Sequence, residues 1–272
     1  MKYGVFHISV FILHTMKHFL ISLALACSSW PLLLPAQNLK VLTYNIHHGQ
    51  NMQGTLDLQG IANVILATNA DLVALQEMDS ATARSQGADQ LKELASLTGM
   101  YTYFAKSMDY DGGAYGTGIL SRLPIVHGER IALPGSNGQE PRVAGIATIR
   151  LPGDSLLQFV STHLDAGNEP AERINQANAL VQHFSAAKTL VILAGDLNAA
   201  PVAKETSLLK QLFADATQSA GPTYPADTPT VKLDYILLYP KHRWNVIAPR
   251  VIQETVASDH RPVVCEIEVL NH

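Results

Sequence analysis

Residues 190–198 read LVILAGDLN, an apolar, β-branched run that stops at Gly195 and hands over to Asp196 and Asn198. A run of this length, closed by turn-forming residues, predicts a β-strand with a polar pair at its end. The pattern recurs at residues 39–46, 72–76, 101–105, 118–121, 143–151, 156–163, 233–239 and 263–269, each bounded by Gly, Pro, Asn or Asp. Helical periodicity marks residues 58–67, 90–97, 172–183 and 203–212. Predicted strands outnumber helices about two to one. They come in consecutive groups as well as alternating with helices, which predicts an α+β sandwich rather than a purely parallel, doubly wound sheet.

Composition allows this. The chain has 272 residues, 47% of them hydrophobic and 15% charged, enough for a core and incompatible with wholesale disorder. Two cysteines exclude a disulfide scaffold and a Cys-rich zinc module. The first 36 residues predict a targeting leader. Met16, Lys17 and His18 form a short polar start, residues 19–34 are almost wholly apolar, and Pro35-Ala36-Gln37 resembles a small-residue cleavage site. Met16 is the expected working start, with residues 1–15 an upstream extension. Leu25-Ala26-Cys27 offers lipoprotein anchoring as an alternative. A retained membrane helix is disfavoured, because the run is short and interrupted by proline.

Removing that leader takes away Lys2 and Lys17 and no acid, leaving 17 basic against 23 acidic residues, a net of −6, and Cys265 as the one cysteine. The expectation is an exported protein, periplasmic or secreted, that folds without an internal disulfide. It is expected to be monomeric, with no stable membrane insertion. Residues 37–272 show no linker and no repeat, so they are taken as a single catalytic domain.

Chemistry-bearing residues gather at predicted strand ends. Asn45 closes the first strand in TYNIHHG, residues 43–49, and Glu77 follows the run 72–76. His163 and Asp165 end FVSTHLD, residues 159–165, and Asp234 opens the strand 235–238. Ser258-Asp259-His260 precedes the last strand. Any one Asn or Asp after a strand also reads as a turn residue. The coincidence of six such sites argues for a shared rim instead.

In order and spacing, Asn45, Gln76-Glu77, GTGILSR at residues 116–122, Thr162-His163-Leu164, GDLN at residues 195–198, Leu233-Asp234-Tyr235 and Ser258-Asp259-His260 resemble the endonuclease/exonuclease/phosphatase superfamily, the fold of pancreatic deoxyribonuclease. The resemblance covers residues 39–269 and is strongest to small exported bacterial members. It implies a four-layered α/β sandwich, two mixed sheets face to face with helices outside. It also implies divalent-metal-dependent hydrolysis of a phosphoester.

Within that resemblance, Glu77, the amide oxygen of Asn45 and Asp259 are hard oxygen ligands suited to Mg²⁺ or Mn²⁺. His260 would donate to the phosphoryl oxygen that gains charge, with Asp234 orienting it. Asp196 with Asn198 would place and deprotonate the attacking water, and His163 would add a second donor. Arg142 stands where relatives carry a phosphate-binding arginine, though a solvated strand start fits it too. Tyr115, His48 and Asp165 are further candidates for contact with substrate; for Asp165 a turn cap fits as well. A small phosphoester is the expected substrate. Nucleic acid is disfavoured, since duplex binding needs a track of Lys and Arg that a chain of net −6 lacks. A secreted nuclease is the alternative enzyme. A catalytically inactive binding module on the same fold is the alternative of another class.

Overall fold

The computed structural model describes residues 37–136 and 138–270. The predicted leader, Cys27 included, lies outside the described residues. Along the chain run β1 (Gln37–Asn45), α1 (Leu58–Thr68), β2 (Leu72–Ser80), α2 (Gln90–Thr98), β3 (Tyr101–Tyr110), β4 (Gly113–Ser121), β5 (Ile125–Ala132), β6 (Val143–Arg150), β7 (Leu156–His163), α3 (Ala171–Phe184), β8 (Leu190–Asp196), α4 (Lys204–Leu212), β9 (Ala214–Asp215), β10 (Asp234–Tyr239), β11 (Trp244–Val251) and β12 (Val263–Val269). One sheet has the order β11-β12-β1-β2-β4-β3, the other β5-β6-β7-β8-β10-β9. Both are mixed: β1 pairs parallel with β2, and β7 parallel with β8, amid antiparallel neighbours.

The strands read as continuous apolar runs because both faces of each sheet are covered. Val41, Leu72 and Ala74 point between the sheets, against Phe159, Ile192 and Ile236 of the other. Their neighbours Leu42, Val73 and Leu75 point outward, under Ile61 and Ile65 of α1 and Leu94 of α2. On the far side Val160, Val191 and Leu193 pack beneath Leu180 of α3 and Leu209 of α4. The result is the four-layered sandwich, helices outside two facing sheets. Helix ends follow local rules. Asp57 and Asp89 cap α1 and α2 by accepting from the backbone N–H of Gly60 and Lys92, and Asn69 and Gly99 close them in left-handed conformations.

This topology decides where the chemistry goes. Parallel β1 and β2 end on the same side, as do β7 and β8. β12 and β10 run antiparallel to β1 and β8, so they begin where those strands end. One edge of the sandwich therefore collects the C-terminal ends of four strands and the N-terminal ends of two. Between the sheets, near this edge, the apolar filling gives way to buried hydrogen bonds. Thr43 Oγ1 donates to Gln76 Oε1, Gln76 Nε2 to Ser161 Oγ, and Ser161 Oγ to the Leu75 carbonyl. Gly195 is required where β8 pairs with β7 opposite Thr162, because a Cβ there would collide with the Thr162 carbonyl oxygen.

Candidate active site

Six chain segments meet at this edge around a cavity of about 480 Å³, lined by Glu77, His163, Asp196, Asn198, Asp259 and His260 among others. Glu77 reaches it through a β-bulge. The pairing of β2 with β4 steps from Leu75–Gly118 to Met78–Gly116, so Gln76 and Glu77 together oppose Thr117. Glu77 takes a left-handed backbone, φ 57°, and turns toward the cavity while Gln76 and Met78 stay buried. Such a bulge re-aims a side chain at the cost of regular pairing.

Asn45, at the end of β1, joins two carboxylates. Its Nδ2 donates to Glu77 Oε1 at 3.0 Å and to Asp196 Oδ2 at 3.1 Å. Its Oδ1 accepts from the backbone N–H of His47 at 3.0 Å. The backbone N–H takes one lone pair of the oxygen expected to face a cation, and the amino group faces the carboxylates. Ser258 Oγ fixes the strand end by donating to the Asn45 carbonyl at 2.7 Å.

His260 Nδ1 bonds Asp234 Oδ2 at 3.0 Å, and its Nε2 lies 3.6 Å from Asp196 Oδ2. Burial disfavours its cation, but Asp234, Asp196 and Asp259 outweigh burial and push its pKa up to about 10. Tyr224 covers the ring, centroids 4.8 Å apart. Asp196 is almost fully buried; burial, with Asp234 adding to it, raises its pKa to about 7 against the pull of His260. Its Oδ1 accepts from the backbone N–H of Asn198, itself in a left-handed turn.

His163 stands on the other side of Asp196, Nε2 to Oδ2 3.6 Å. Arg142 Nη1 donates to His163 Nδ1 at 3.0 Å. A guanidinium has no acceptor, so Nδ1 accepts and a neutral ring carries its proton on Nε2. The Asn198 amino group, which donates to the Leu164 carbonyl at 3.0 Å, lies 2.9 Å from that nitrogen. Burial, with the Arg142 cation alongside, holds His163 well below the ordinary histidine pKa. His163 thus stands neutral and His260 cationic within one cavity.

His48 Nδ1 lies 3.7 Å from Glu77 Oε2. Burial works to raise the Glu77 pKa, but His48 and the Asn45 amide beside it, with the His260 cation, hold it well below the usual carboxylate range. Tyr115 lines the cavity, and burial with the nearby Glu77 and Glu140 charges pushes its phenol up, so it stays a donor. Asp165 does not line the cavity. β7 ends at His163 before an i+2 alternation can bring Asp165 to the same face, and its Oδ2 accepts from the Gly167 N–H at 2.8 Å. Contact with substrate is corrected to a turn role there. Arg84, Met108, Tyr110, Glu140 and Tyr224 also line the cavity. They come from loops and hairpin ends with no strand-end signature. Only Glu140, two residues before Arg142, lies beside a residue that the sequence marks.

Asp196, Asp234 and His260 bring potential ligand atoms within 4.8 Å of one another. Within it His260 Nδ1 takes Asp234 Oδ2, while Asp234 Oδ1 has no hydrogen-bond partner among the described residues. Glu77 and Asp259 instead offer carboxylate oxygens to the cavity, a donor set that fits a hard divalent cation. Among the described residues no helix is long and apolar enough to cross a membrane.

Residues 42–260 match the model of the endonuclease/exonuclease/phosphatase family. Solved structures share the fold. A protein of that family from Beutenbergia cavernae is 24% identical, with a TM-score of 0.73 over 86% of this chain and 72% of its own. One from Bacteroides thetaiotaomicron is 17% identical, with a TM-score of 0.72 over 87% of this chain and 99% of its own. The mannosyl-6-phosphatase of Bacteroides thetaiotaomicron is 17% identical, with a TM-score of 0.69 over 84% of this chain and 99% of its own. The chain belongs to the endonuclease/exonuclease/phosphatase family.

Proposed function

We propose that this chain is an exported hydrolase of phosphoester bonds that works with Mg²⁺ or Mn²⁺ on a small phosphorylated metabolite, sugar or lipid headgroup, as a monomer. The observation that carries the reading is the trio His163–Asp196–His260: one buried carboxylate 3.6 Å from two histidines in different charge states. A carboxylate raised to about 7 is matched to take a proton from water near neutral pH. His260, cationic and held by Asp234, donates to a phosphoryl oxygen that gains charge, and neutral His163 donates from Nε2 to another. Water attacks phosphorus in line, its proton passes to Asp196, the bond to the leaving oxygen breaks, and no covalent intermediate forms. Glu77 and Asp259 would hold the cation, which when bound neutralises phosphoryl charge.

The cavity volume suits a small ligand, and the acidic balance of the chain disfavours a duplex. The phosphatase among the structural neighbours is named for a sugar phosphate. The test is phosphate or alcohol release by the purified chain from a panel of phosphomonoesters and phosphodiesters, with Mg²⁺, with Mn²⁺ and with EDTA. Metal-dependent turnover of a small ester is expected. Full turnover in EDTA, or sub-micromolar, salt-sensitive binding to duplex DNA, would overturn it.

A further inference from the structure

We propose that Arg84, Tyr110 and Met108 form a leaving-group subsite that selects a polyhydroxylated leaving group, a sugar or a cyclitol, over an alkyl or an anionic one. This rests on phosphoester hydrolysis in the same cavity.

Arg84 is held for binding rather than left free on the surface. Its Nε and Nη2 donate to Asp79 at 2.7 and 2.8 Å. Asp79 is fully buried and also accepts from Thr82 Oγ1 at 2.8 Å. The guanidinium lies 4.5 Å over the Tyr110 ring and 5.5 Å from that of Tyr115. Two bonds and two rings fix a planar cation whose third nitrogen, Nη1, has no partner among the described residues, on a side chain that lines the cavity. A fork held this way loses little entropy on binding.

Its surroundings decide what it takes. Asp79 balances its charge, and Glu77 and Glu140 stand in the same cavity. A second anionic group would gain little attraction there and would meet the Glu77 carboxylate. Neutral hydroxyls suit it better: Nη1 donates to them, and Glu140, whose Oε1 pairs with Arg142 Nη1 at 2.8 Å while its side chain stays 36% exposed, can accept from them. Tyr110 keeps 38% of its surface exposed, and Met108 lines the cavity with it. Apolar surface beside donors and an acceptor matches a molecule with hydroxyl edges and C–H faces.

Arg84 sits on the loop beyond β2, the strand that delivers Glu77, and lines the same cavity as Asp196. In a phosphomonoester everything beyond the phosphoryl group is the leaving group, so a wall suited to neutral hydroxyls and not to a second anion takes the leaving group.

The test measures phosphate release from a hexose 6-phosphate, inositol 1-phosphate and n-hexyl phosphate, the last with six carbons and no hydroxyls. Wild type, Arg84→Lys and Tyr110→Ala are compared with Mg²⁺ or Mn²⁺ present. Arg84→Lys keeps a cation beside Asp79 but removes the fork; Tyr110→Ala changes a partly exposed ring, so the fold survives. Wild type should favour at least one polyol ester over n-hexyl phosphate by about 10-fold or more in kcat/KM, as for a site built to bond a hydroxyl. Each variant should shrink that preference by about 10-fold, and the ratio of the hexose and inositol arms tells which polyol is meant. Equal kcat/KM for all three esters in wild type, or a preference unchanged in both variants, overturns the subsite and leaves the hydrolase reading standing. No phosphate from any of the three, while the wider panel of esters is turned over, overturns the subsite alone; no turnover in either overturns the hydrolase reading with it.

Discussion

Asp234 and His260, 26 positions apart, meet with 3.0 Å between Oδ2 and Nδ1 because β10 and β12 both start at the edge where β8 and β1 end. The carboxylate raises the imidazole pKa, so His260 is a cation until pH reaches about 10. Asp234→Asn keeps the shape and removes the charge. The alkaline limb of kcat/KM against pH should move to lower pH, because the imidazolium then deprotonates earlier, and the rate at pH 8 should fall. A limb that stays in place would sink the pairing as a device of catalysis and leave Asp234 a strand-start residue.

The same shift carries a stability consequence. A histidine raised in the folded state contributes fully below its unfolded value of about 6.5 and loses that contribution as pH climbs toward about 10. Wild type should therefore lose thermal stability across that window, and Asp234→Asn should lose much less of its own. Thermal melts at half-unit steps read this directly.

Asp196 gives the acidic limb. Its raised pKa means that it is protonated below about 7, so the rate should rise with pH through that point. Asp196→Asn should lower kcat by about 10² to 10⁴ and flatten the acidic limb while the protein stays folded. A variant that keeps both the rate and the limb would move the base elsewhere.

Chelation should stop turnover, and Mg²⁺ or Mn²⁺ should restore it. Glu77→Gln should raise the metal concentration needed for half-activation by about 10-fold or more, since a carboxylate ligand is lost. Titration of activity, with calorimetry of metal binding alone, separates this from a change in substrate affinity.

Phe159 is fully buried between the sheets. Phe159→Ala should cost about 3–5 kcal/mol by transfer and cavity terms. Urea unfolding should show a lower midpoint with a nearly unchanged slope.

The sandwich was legible because strands buried on both faces must be apolar throughout, as residues 190–194 are. β5 and β11 escaped. Their exposed stretches, such as His127-Gly128-Glu129-Arg130 and Asn245, carry polar residues, and Pro249 sits within β11. Edge strands need no continuous apolar run, so the signal fades there. β3 and β4 extend beyond the predicted 105 and 118 because ladder bonds carry the hairpin around Asp111-Gly112, where β3 past Ala105 is exposed or half-buried and β4 before Gly118 holds Gly, Ala, Tyr and Thr in place of an aliphatic run. At the site, residues at strand ends could be picked out, since they stand next to readable strands. Met108, Tyr110 and Tyr224 could not, because a residue's neighbour in space leaves no trace in its neighbours in sequence. The orientation of the Asn45 amide was equally hidden: it depends on which backbone N–H the turn at His47 presents.

The bulge at Glu77 sets regularity against activity. Removing one residue between Leu75 and Met78 would let β2 and β4 pair without interruption from Gly118 to Gly116 and would relieve a left-handed glutamate. Selection for heat resistance alone should find such repairs attractive and lose the carboxylate from the cavity with them. Thermostable variants of this chain are therefore best sought far from β2, in the edge strands and outer helices, where an improved ladder or cap leaves the imperfection untouched.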